Sequence, residues 1–152
     1  MFGFLRTFTQ SPDGYLWSNA SDYLEVQLRA HIFRTASFTK PTVLGIALFT
    51  VTPSDSGGGT EVSGGSYARV NVPPLDANWS APDATGGLTD NVGAITFPTP
   101  SANWGTVVAF GIFDATSAGN LLVWGPITPN KTINNGDPAP SFAAGALDIT
   151  IA

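Results

Sequence analysis

The chain has 152 residues, a formal net charge of −5, 43% hydrophobic residues, 17 Gly, 12 Pro and no Cys. A single domain of this length buries enough surface to fold without staples, and the lack of Cys excludes a disulfide framework, a thiolate metal site and a cysteine nucleophile. The six Lys and Arg form no cluster, which excludes a phosphate-backbone surface, and no apolar run approaches the ~20 residues of a membrane span.

Residues 1–20 interleave Phe2, Phe4, Leu5, Phe8, Tyr15, Leu16 and Trp17 with Thr, Ser, Pro and Gly, with no clean period of 2 or 3.6. The opening "MFGFLRTFTQ" lacks the basic-then-apolar order of a signal peptide. Two readings are open for this arm: a strand tucked onto the domain's own core, or a segment laid on a neighbouring subunit. A helix is predicted over about 22–34. Asp22 as N-cap and Glu25 form an acidic capping box, Leu24, Leu28 and Ile32 follow at i, i+4 and i+8, and Arg29 and Arg34 suit the later turns.

Everything after the helix reads as strands. "TVLGIALFTV" (42–51) is a buried strand, and "PSDSGGGTEVSGG" (53–65) a loop, since three consecutive Gly do not hold a core element. "SYARVNV" (66–72) alternates, and 73–92 is polar and rich in turn residues, with a short strand around Trp79. "GAITFP" (93–98) is the next strand. "TVVAFGIFD" (106–114), the turn "ATSAGN" (115–120) and "LLVWG" (121–125) form a hairpin whose first strand is apolar on both sides. Trp104 and Trp124 are expected to pack together at its open end. A short strand within 131–142 and "ALDITIA" (146–152) complete the sheet. Seven or eight strands at regular spacing predict an all-β fold, a jelly-roll-like β-sandwich with one N-terminal helix. The arm (1–20) precedes a single domain (21–152).

No catalytic constellation emerges. The lone His31 has no positioned acid and nucleophile. Most of the eleven carboxylates fall beside turn residues, where Asp caps backbone N–H groups, and no two share a face of one strand as a glycosidase pair would need. "DANWSAPD" (76–83) and "NNGD" (134–137) come nearest to a calcium pattern but read as turns. The Gly-rich 57–65 lacks the Lys and strand–helix setting of a P-loop. Three N-x-[ST] triplets, at Asn19, Asn78 and Asn130, read as accidents of composition. Trp79, in a polar loop, is placed to stack on a sugar face. The expectation is a protein without enzymatic activity, cofactor or metal.

The segments "GTEVSGGSYAR" (59–69) and "NWGTVVAFGIFDA" (103–115), with the helix "DYLEVQLRAHIFRTASFTKP" (22–41), resemble a family of small bacteriophage proteins described as tail fibre or minor virion structural proteins. The resemblance spans about 22–150 and implies a β-rich virion protein without a known catalytic site. The first 20 residues and the Pro-rich 138–140 depart from it. With only 11% charged residues, no heptads and no repeat of 20–50 residues, the chain reads as a compact block rather than a shaft. The expected function is a capsid decoration, or cement, protein in the virion. It would be a homo-oligomer, with a trimer favoured, bound across the major capsid protein through Phe2, Phe4, Phe8, Tyr15 and Trp17, since aromatic anchors dominate interface energy. Nucleic acid and membrane are not expected partners. The alternative is a tail fibre or adhesin module that binds host-surface carbohydrate or a receptor, with Trp79 facing the ligand.

Overall fold

The structure, a computed structural model, describes residues 19–84 and 87–151. Its frame is one antiparallel sheet with a central hairpin. Strand β7 (Gly105–Phe113) pairs with β8 (Leu121–Ile133) on one side and with β2 (Gly45–Val51) on the other. The far edge of β8 takes β1 (Asn19–Ala20). The far edge of β2 is shared by β3 (Thr60–Glu61) and β4 (Val70–Asn71), which lie end to end along it. Two short ladders complete the fold: β5 (Thr89–Asp90) with β10 (Asp148–Ile149), and β6 (Ile95–Thr96) with β9 (Ser141–Phe142). The result is the all-β sandwich with one helix that the sequence predicts.

The two-residue period sorts the sheet into two unlike faces. Ile46 opposite Ile112 and Leu48 opposite Phe110 point to the main core. There Phe97, Phe142 and Leu147, from the small ladders and their connections, cover them. Phe142 meets Phe97 and Phe110 edge to face, at 6.0 and 6.4 Å between centroids, the geometry that aromatic quadrupoles favour. The other face is thin: Ala47, Ala109 and Phe49 pack with Val108 and Phe113. Gly111 lies among them, and a Cβ there would come within 2.9 Å of Phe49 and Leu121 side-chain atoms. The hairpin's first strand is thus covered on both faces, as its composition predicts.

The hairpin's one carboxylate builds its turn. Asp114 accepts from the Asn120 backbone N–H at 2.7 Å and from the Asn120 amide at 2.8 Å. Gly119 closes the turn at φ +78°, and a Cβ there would fall 2.5 Å from Asp114 Oδ1.

Helix α1 (Asp22–Phe33) lies against β8. Its N-cap is Ser21, one residue before the predicted Asp22: the buried Ser21 hydroxyl accepts from Leu24 N–H at 3.2 Å and donates to Leu121 O. A serine can grip both the helix start and the strand beside it, which an acceptor-only carboxylate cannot. Leu24 is buried and Leu28 packs on the core, whereas Ile32 is 66% exposed. Eight residues carry a position about 80° around an α-helix, so Ile32 turns out of the inward stripe.

Other expectations need correction. The Gly-rich 53–65 contains β3, because its turns fold the chain back onto β2. Of 66–72 only Val70–Asn71 is strand, and β8 runs eight residues past the predicted 125. That length separates the two tryptophans. Trp104 N–H reaches Ile133 O at the far end of β8, while Trp124 stands opposite Gly111. Trp104 is buried edge-on against Tyr67 at 5.3 Å, and Trp124 donates to Asp55 Oδ1 at 3.0 Å.

Candidate binding groove

A concavity of about 770 Å³ opens between α1, the main sheet and the 73–82 segment. Its walls are mainly apolar, from Leu24, Leu44, Ile112, Val123 and Ile149, and Trp79 forms part of one side. The charged groups along it are the exposed Lys40 and Asp76. Two turn bonds hold Trp79 in place: Asn78 Nδ2 donates to Pro73 O at 2.9 Å, and Trp79 N–H donates to Leu75 O at 3.2 Å. Its residue also bridges to Asn91. Trp79 is half-buried, packed on the core with its remainder toward the groove. Of the residues singled out in the sequence for ligand contact, this is the one the structure places on a cavity. Phe2, Phe4, Phe8, Tyr15 and Trp17 lie outside the described residues.

A second constellation was not singled out as chemistry in the sequence. Arg69 holds Glu61 in a two-pronged ion pair, Nε to Oε1 at 2.8 Å and Nη2 to Oε2 at 2.7 Å. Its Nη1 donates to Ala115 O and Ala118 O at 3.1 and 2.7 Å, and the guanidinium lies 3.6 Å over the Phe113 ring. Tyr67 donates to Glu61 Oε1 at 2.9 Å, and its oxygen accepts from Leu48 N–H at 2.9 Å. Burial, aided by the Glu61 charge, pushes the Tyr67 phenol well above its ordinary range. The phenol therefore stays protonated and able to donate. The signal was present in the segment carrying the family resemblance: Glu61, Tyr67 and Arg69 are its three titratable residues.

Several carboxylates hold turns or ion pairs, among them Asp114, Glu61 and Glu25. Asp137 accepts from Asn134 N–H at 2.7 Å, closing the 134–137 turn. No group of three His, Asp or Glu able to hold a metal occurs among the described residues. One pair does come together across strands: Asp90 stands directly opposite Asp148 in the β5–β10 ladder, next to Thr89 and Ile149 on the groove wall. Directly opposed residues have Cβ atoms about 4.5–5.5 Å apart. His31 is exposed, and its Nδ1 accepts from Phe38 N–H at 3.3 Å.

The groove thus offers an aromatic ring, aliphatic walls and a few peripheral polar groups, a composition suited to holding a ligand or a partner. No curated protein matches the chain. Residues 19–150 match the family described as podophage GP4 fiber I protein gp80, a span that begins at β1 and runs through the last ladder. With nearly the whole described fold inside that match, the chain belongs to the podophage GP4 fiber I protein gp80 family.

Proposed function

We propose that the chain is a fibre-type structural component of a podophage particle, with a binding rather than a catalytic role, which presents the Trp79 groove to host-surface carbohydrate or a receptor. The observation that carries this reading is the fibre-family match across 19–150. It favours the fibre alternative over the capsid decoration role expected first. The groove supports it: an indole face suits the apolar face of a pyranose, and Asp76, Lys40 and Ser80 supply polar groups near it. The aromatic arm, with Phe2, Phe4, Phe8, Tyr15 and Trp17, is the proposed contact with the rest of the particle.

Immunogold labelling of intact particles tests the assignment. Label at the tail or its fibres is expected. Label spread over the head would return the chain to a decoration role on the major capsid protein. Glycan-array binding that Trp79→Ala removes, with the fold intact by circular dichroism, would tie the ligand to the groove.

A further inference from the structure

The innermost lining of the Trp79 groove has one chemical character. It comes from Leu24, Ile112, Leu122 and Val123, which are only 3–7% exposed. Their backbones are taken up by the sheet and the helix. Ile112 pairs with Ile46 on one side and with Val123 on the other. Leu122 O accepts from Ser21 N–H at 2.9 Å, and Leu24 N–H donates to the Ser21 hydroxyl. The floor of the groove is therefore aliphatic surface.

The polar side chains of the lining, Lys40, Asp76, Ser80 and Thr89, belong to the segments around that floor. Ser80 Oγ accepts from Asp90 N–H at 2.9 Å. The indole N–H of Trp79 is turned to Val72 O, at 3.4 Å, so the ring offers a ligand carbon surface alone.

A sugar stacked on that ring meets the floor with one edge and the polar segments with another. A hydroxyl pushed onto the floor loses its water and gains no partner, which costs free energy. A methyl group in the same place gains free energy, because its apolar area leaves water. An ordinary hexose carries a hydroxymethyl group on its ring, whereas a 6-deoxyhexose carries a methyl. An N-acetyl group also ends in a methyl, but it brings an amide N–H and C=O that the floor would leave unpaired.

We propose that the groove selects 6-deoxyhexoses, seating the sugar methyl on Leu24, Ile112 and Val123 while the ring stacks on Trp79 and the hydroxyls face the polar segments. This rests on the reading of the groove as a carbohydrate site and narrows it to one class of sugar.

Titration of the full chain with matched sugars, followed by saturation-transfer NMR, tests the proposal. Rhamnose is set against mannose, fucose against galactose and quinovose against glucose, each pair in the same absolute configuration. In at least one pair the 6-deoxy sugar is expected to bind about tenfold tighter or more, the usual discrimination by an apolar pocket. Its methyl protons are expected to receive the strongest transfer, and Trp79→Ala to abolish it. Val123→Thr places a hydroxyl on the floor and is expected to bring the two affinities together. Should that variant fail to fold, Ile149→Thr on the groove wall takes its place. Equal or reversed affinities in every pair overturn the proposal, and if Trp79→Ala still removes the binding the carbohydrate reading stands. Tighter binding of N-acetylglucosamine than of every 6-deoxy sugar also overturns it, as does a folded floor variant that keeps the wild-type ratio. No binding of any sugar overturns the proposal and the carbohydrate reading together.

Discussion

Strand β2 has two edges, and they are built on different principles. Along one edge, Gly45 to Phe49 run in unbroken register with Phe113 to Ala109 of β7. Along the other, β4 covers Gly45 and Ile46, β3 covers Phe49 and Val51, and the Tyr67 hydroxyl takes the Leu48 N–H between them. The first edge spreads its stability over many equivalent backbone bonds and the core beneath them. The second concentrates it in three side chains, each of which orders another. A backbone ladder tolerates most surface changes, whereas a side-chain clamp of this kind fails as a unit.

The sharpest way to break that contrast is to damage both edges and compare. Phe110→Ala, beneath the β7 edge, is expected to destabilise the fold by about 4 kcal/mol in denaturant unfolding, the usual cost of emptying a buried aromatic site. Arg69→Ala comes next at about 3 kcal/mol, because it leaves Glu61 without its partner and strips two carbonyls of a donor. A loss under about 1 kcal/mol there would mean that β3 and β4 hold without the clamp. Tyr67→Phe keeps the ring and removes the acceptor for Leu48 N–H, for a loss of about 1 kcal/mol. Glu25→Gln on the exposed helix pair with Arg29, by contrast, is expected to cost less than about 0.5 kcal/mol. Its two side chains are 45% and 60% exposed.

The clamp also predicts a pH signature. The Tyr67 phenol is raised by burial in the folded chain, while in the unfolded chain it ionises near 10. Below that pH both states keep the proton and stability is unaffected. Above it the unfolded state gives up a proton that the folded state retains, so stability falls by up to about 1.4 kcal/mol per pH unit. Unfolding curves between pH 9 and 11 should show that decline in wild type and a shallower one in Tyr67→Phe.

The same contrast explains what could be read from the sequence. The β7–β8 hairpin was legible because alternation and a turn of small residues are local signals. The helix was legible to within one residue, the cap moving to Ser21 because the deciding bond goes to Leu121, 100 residues away. The β2 outer edge was not legible. Its three Gly read as a loop, and that β3 and β4 share one strand depends on long-range side-chain bonds that no local period encodes. Trp79 was found because a tryptophan among polar turn residues is conspicuous. The groove it lines was not, because its walls come from Leu24, Ile112 and Ile149, far apart along the chain.

The way the chain enters the fold has a mechanical consequence. β1 contributes only Asn19 and Ala20 to the sheet, and α1 follows at once after Ser21. A load arriving from the N-terminal side therefore meets the two-residue β1 contact first, and the helix next in series. Twelve helical residues drawn out to an extended chain lengthen by about 20 Å before the load reaches β2, the next strand along the chain. For any pull from the N-terminal side, this end of the fold is a give-way link, with a two-residue ladder and one helix standing ahead of the sheet.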